Sequence, residues 1–115
     1  MARYTCTFAI PCSQEQIVQW LPPLLKGCQL DLIYEDGDYM RAREVPGQVS
    51  FTELVEVEVL IETPDPDAIG INLNIIVSNE ELPLKASNHC RTMSERVSDA
   101  IQSHQDIKTL NYATD

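Results

Sequence analysis

Apolar and polar residues alternate from the first positions of the chain. Tyr4, Cys6, Phe8 and Ile10 interleave with Arg3, Thr5, Thr7 and Ala9, the period-two signature of a half-buried strand that Pro11 ends. The period then lengthens. Ser13-Gln14-Glu15-Gln16 reads as a capping box, and Ile17, Trp20, Leu21 and Leu24 form a helical stripe. Pro22-Pro23 is expected to kink or restart that helix, because neither proline has an N–H to donate. Gly27 is expected to close it in the left-handed conformation.

Strands at Gln29–Tyr34 and Asp38–Val45 follow, joined through Glu35-Asp36-Gly37. A two-residue Asp-Gly turn would set Leu32 against Arg41 and Leu30 against Arg43. A three-residue type I turn, with Gly37 in the left-handed bulge position, sets Tyr34 against Asp38, Leu32 against Met40 and Leu30 against Ala42. The second register sorts apolar from polar and is the expected one. Val45-Pro46-Gly47-Gln48 reads as a tight type II turn into a long strand. That strand carries Val49, Phe51, Val55, Val57, Val59 and Ile61 on one face, with Ser50, Thr52, Glu56, Glu58 and Glu62 on the other. A loop at Thr63–Asp67 leads to a last strand carrying Ile69, Ile71, Leu73, Ile75 and Val77. A further loop, Asn79–Ala86, leads to a helix from about Ser87 to Gln105 with the stripe Cys90, Met93, Val97, Ala100 and Ile101.

The order β-α-β-β-β-β-α predicts an α+β fold: a single antiparallel sheet of about five strands with two helices on one face. In element order it resembles a shortened helix-grip domain. Residues 1–115 are expected to make one α+β domain, with 106–115 a weakly ordered C-terminal tail.

Three turn-defined registers (34 opposite 38, 45 opposite 48, 62 opposite 68) place Ile33, Tyr39, Leu54 and Ile76 in one lateral row on the outer face, among polar neighbours. A row of large apolar side chains in water predicts an interaction surface, for a protein partner or a homo-oligomer. Two arrangements would remove the row from water instead. In one the tail folds over it through Ile107, Leu110 and Tyr112. In the other a bulge near Glu53, which falls on the inner face, breaks the register.

Charge narrows the partners. Eighteen acidic residues against eight basic give a net charge of −10 over 115 residues. That field repels phosphate backbones and anionic membranes, so neither nucleic acid nor membrane is an expected partner. No apolar run approaches the roughly 20 residues that span a bilayer, and the start lacks an apolar leader, which predicts a cytoplasmic location.

Candidate chemistry changes the picture little. Cys6, Cys12, Cys28 and Cys90 lack metal-ligand spacing, so free thiols without metal or cofactor are expected, with Cys12 the most exposed. His89 and Cys90 are adjacent at a helix start, but neighbours on a helix point about 100° apart, and Cys90 opens the apolar stripe. His104 reads as a surface residue near a helix end. Glu56, Glu58 and Glu62 read as a solvated stripe. Asp65 and Asp67 lack a calcium-loop pattern. No catalytic residue is nominated. The expected function is a non-catalytic protein-interaction, assembly or regulatory domain using the outer sheet face. The alternative is binding of a small apolar ligand between sheet and helices; an enzyme assembled from distant residues is the third class.

Overall fold

A computed structural model describes residues 1–63, 70–82, 88–103 and 111–114, the last four by their backbone. The elements are β1 (Ala2–Ile10), α1 (Gln14–Gly27), β2 (Leu30–Asp36), β3 (Tyr39–Glu44), β4 (Glu56–Glu62), β5 (Ile71–Asn79), α2 (His89–Ser103) and β6 (Asn111–Thr114). They form one antiparallel sheet in the order β2-β3-β4-β5-β1-β6, an α+β arrangement as the pattern predicts. The strand beyond the expected set is β6, which pairs with β1 from Cys6↔Thr114 to Ala9↔Asn111. Ile69, Asp65, Asp67, His104, Ile107 and Leu110 lie outside the described residues, as do 64–67 and 83–86 of the expected loops.

One face of the sheet makes the core. Phe8 and Ile10 of β1, Met40 and Ala42 of β3, Val57 and Val59 of β4, and Leu73 and Ile75 of β5 are all buried. Both helices pack there. α1 buries Ile17, Leu21 and Leu25, and α2 buries Cys90, Met93, Val97 and Ile101 together with Ser94 and Ser98. Ser98 Oγ sits 3.1 Å from Cys6 Sγ, so that buried hydroxyl has a partner.

The first helix follows the pattern at its start and departs from it further on. Ser13 caps α1 through the expected box: its Oγ accepts from Gln16 N, and Ser13 N donates to Gln16 Oε1. The helix continues through Pro22 and Pro23 instead of restarting. A proline inside a helix costs about 3 kcal/mol, and the stripe Ile17-Leu21-Leu25, buried on both sides of the pair, offsets that cost. Gly27 does not close the helix in the left-handed region; Gln29, two residues later, holds φ +65°.

The three expected registers are all displaced. At the first hairpin the loop has two residues, Gly37 and Asp38, and Asp36 pairs with Tyr39. Gly37 takes φ +54° while Asp38 stays negative, the sign pattern of a type II′ turn with glycine at its first central position. Continued without interruption, that pairing would turn Leu30 and Leu32 away from the core. A bulge between Leu32 and Tyr34 restores them, giving Leu32↔Ala42 and Leu30↔Glu44.

The second connection is not a tight turn. Residues 46–54 leave the sheet: Glu53 N and Leu54 N both donate to Ser50 O, and Glu80 N donates to Thr52 O. Pairing resumes at Arg43↔Glu56 and reaches Tyr39↔Leu60. β4 against β5 runs Glu56↔Ser78 to Glu62↔Asn72.

Gly37→Val is expected to destabilise the domain by about 1 kcal/mol or more, because a β-branched residue is strained at positive φ. Among the described residues only Gln14 Nε2, at 4.0 Å, would meet the new Cβ, so the loss would be a backbone effect. Gly37→Asn should lose less. Urea denaturation of both variants is the check, and equal, unchanged midpoints would contradict this turn geometry.

Candidate functional site

The displaced registers decide what the helix-free face presents. Its lateral rows run Tyr34–Arg41–Glu58–Ile76–Thr5 and Tyr39–Leu60–Asn74–Thr7. The expected row of Ile33, Tyr39, Leu54 and Ile76 is therefore not a row. Ile33 sits at the β2 bulge, 46% exposed. Tyr39 is beside Leu60, while Ile76 lies between Glu58 and Thr5. Leu54 is off the sheet, in the 45–55 connection, where it lines an open hollow of about 420 Å³ with Met1, Pro46 and Phe51. Phe51, expected inside, is 86% exposed.

Two of the four residues remain together, with two that the pattern did not single out. Alternation from Leu32 sends Ile33 outward, and pairing with Arg41 sends Tyr34 outward as well. Tyr34 and Tyr39 lie on neighbouring strands with ring centroids 5.8 Å apart and planes tilted by 57°. Leu60 stands directly opposite Tyr39. The result is an apolar and aromatic patch of Ile33, Tyr34, Tyr39 and Leu60 near the β2 edge. Leu60 had a signal in the sequence: it is the one apolar residue on the face of β4 that otherwise carries Glu56, Glu58 and Glu62. Tyr34 had none without the bulge.

The patch is ringed by acids. Tyr34 Oη donates to Asp36 Oδ2 at 3.4 Å and Tyr39 Oη to Glu58 Oε2 at 3.3 Å. Desolvation, then the Glu58 carboxylate, pushes the Tyr39 phenol above its ordinary range. Arg41, the nearest cation across the strands, is bound to Glu56. Asp31, Glu35, Asp36 and Asp38 are all exposed along β2 and its turn.

A second polar constellation lies on the core side at the other end of the sheet. Glu44, 2% exposed, shares the inner face with Met40 and Ala42. His89 Nε2–H donates to its carboxylate, at 2.9 and 3.0 Å from the two oxygens, and Val55 N–H donates to Oε1 at 3.1 Å. Beside it Asn79 Nδ2 donates to Glu81 and to Glu53 O, and Glu81 accepts the Cys90 N–H at the start of α2. Asn88 accepts from Arg91 N and caps the same helix.

These groups brace the fold and are not arranged around a nucleophile. Cys90 donates to Val77 O at 3.3 Å, and desolvation, then the Glu81 charge, pushes its thiol up to about 12, far from a reactive thiolate. Cys12, expected as the most exposed thiol, is buried, and burial raises its pKa too. All four cysteines are free and buried.

Among the described residues no group of three or more His, Cys, Asp or Glu is placed to hold a metal ion, and no helix is long and apolar enough to cross a membrane. No family model, curated protein or solved structure matches the chain, and the likeness to a helix-grip domain has element order alone behind it.

His89→Ala is expected to destabilise by about 2 kcal/mol or more, because it removes the side-chain donor that bonds both oxygens of a buried carboxylate. His89→Gln, which keeps a donor, should recover part of that. Arg91→Ala, which removes an exposed i,i+4 pair with Glu95, should cost at most about 0.5 kcal/mol. Urea denaturation of the three variants orders them, and His89→Ala no worse than Arg91→Ala would contradict a bracing role.

Proposed function

We propose that the chain is a non-catalytic protein-interaction domain that binds a partner through its helix-free sheet face. The observation that carries this reading is the patch of Ile33, Tyr34, Tyr39 and Leu60, whose first, second and fourth members are 46%, 51% and 37% exposed. Contiguous apolar area of this kind on a folded surface is characteristic of association sites. Burying it would remove a few hundred Å² of apolar surface from water, which at about 25 cal/mol per Å² is several kcal/mol before association costs. With a net charge of −10, nucleic acid and anionic membrane are disfavoured partners, and the expected setting is the cytoplasm.

The alternative is a small apolar ligand, expected between sheet and helices; the groove in favour of such a ligand lies instead between the two helices. An open groove of about 570 Å³ runs between the end of α1 and α2, lined by Pro23, Leu24, Cys28 and Ala100 with Arg96 and Asp99 at its sides. It is the lesser reading, since the groove opens to solvent and carries both charges.

The experiment is affinity capture from native lysate with the wild type and a Tyr34→Ser/Leu60→Ser double variant, with Leu54→Glu alongside. The double variant should fold, keep its circular dichroism spectrum and lose the captured partner, whereas Leu54→Glu, off this face, should keep it. Capture unaffected by the double variant, with both proteins monomeric by light scattering, would contradict the proposal.

A further inference from the structure

Resting on that reading, we infer that the partner is an extended, Arg- or Lys-bearing segment that joins the sheet as an added strand along β2. Its cations would lie over Tyr34 and Tyr39 and against Asp31 and Asp36.

β2 is the outermost strand of the sheet on its side, and among the described residues only β3 pairs with it. The free side of an edge strand presents backbone N–H and C=O groups that accept another extended segment. Edges of this kind are commonly guarded by charge, and the sign of the charge selects what can add. Asp31, Glu35, Asp36 and Asp38 are exposed here, and no basic residue occurs between Lys26 and Arg41. Arg41 is already committed to Glu56.

A second copy of this chain is a poor occupant. Antiparallel pairing of β2 with itself would bring Asp31, Glu35 and Asp36 of the two copies together, and like charges across a ladder are destabilising. The same carboxylates favour a basic segment.

The bulge supplies the rest of the recognition. It turns Ile33 and Tyr34 out on the same open side, next to Tyr39, so two tyrosine rings stand beside the edge where a guanidinium can stack. Both hydroxyls point to carboxylates, Asp36 and Glu58, which adds negative potential around the rings. An edge of seven residues also limits the added segment to about seven residues, since both strands rise at about 3.3 Å per residue.

Three fluorescein-labelled, end-blocked peptides test this by fluorescence anisotropy against the whole protein at low salt. They are Arg-Val-Arg-Val-Arg-Val-Arg, its Glu-Val counterpart, and Arg-Pro-Arg-Pro-Arg-Pro-Arg, which carries the same charge but cannot join a ladder. The Arg-Val peptide is expected to bind about tenfold or more tighter than the Arg-Pro peptide, and the Glu-Val peptide not to bind. Tyr34→Ser and an Asp31→Asn/Asp36→Asn double variant, both remaining folded, should each weaken the Arg-Val peptide about fivefold or more. Equal binding of the two arginine peptides would reduce the effect to charge alone and overturn the inference. So would binding that ignores both variants, no binding of the Arg-Val peptide, or a dimer of the free protein abolished by Tyr34→Ser. If the Tyr34→Ser/Leu60→Ser variant loses its captured partner while the peptides fail, the sheet-face reading stands and the basic-strand inference alone falls.

Discussion

The carboxylate of Glu44 is the fixed point of this fold. Taking a carboxylate out of water costs several kcal/mol unless its oxygens are bonded, and here His89 and the Val55 N–H bond them. One side chain thereby joins three parts of the chain: the end of β3, the residue before β4, and the first turn of α2. Glu44 N also donates to Val55 O, so the chain leaves the β3–β4 ladder after Glu44 and returns at Val55, with residues 46–54 outside the sheet.

That return point sets the register of β4 and hence the surface. Because pairing restarts at Arg43↔Glu56, Tyr39 meets Leu60, and Leu54 stays off the sheet. The β2 bulge makes the complementary adjustment at the other side of β3, restoring Leu30 and Leu32 to the core and leaving Ile33 and Tyr34 outside. Core packing and the make-up of the helix-free face are thus settled by the same two irregularities.

The regular part of the architecture is legible in the sequence because it rests on periodicity. The core faces of β1, β3 and β5 and the α2 stripe follow directly from alternation and helical spacing. What is not legible depends on contacts distant in sequence. Val45-Pro46-Gly47-Gln48 has the composition of a tight turn, and nothing local reveals that Glu44 waits for Val55 and for His89, 45 residues away. Ser50 and Glu53, which bond side chain to side chain at 2.7 Å within the connection, fall inside an apolar alternation that reads as strand. On the surface, the alternation picks out Ile33 and Tyr39 but gives them the wrong neighbours, since register propagates every turn error across the sheet. The acidic character of the face needs no register at all.

Backbone nuclear Overhauser contacts across β3 and β4, together with exchange of the Val55 amide, test the anchoring by Glu44 most directly. Ala42–Val57 and Tyr39–Leu60 contacts are expected, with a slowly exchanging Val55 N–H that becomes fast in Glu44→Ala. Contacts from Ala42 to Phe51 and from Tyr39 to Leu54 would instead place a tight turn after Val45, and would contradict both the anchoring and the surface derived from it.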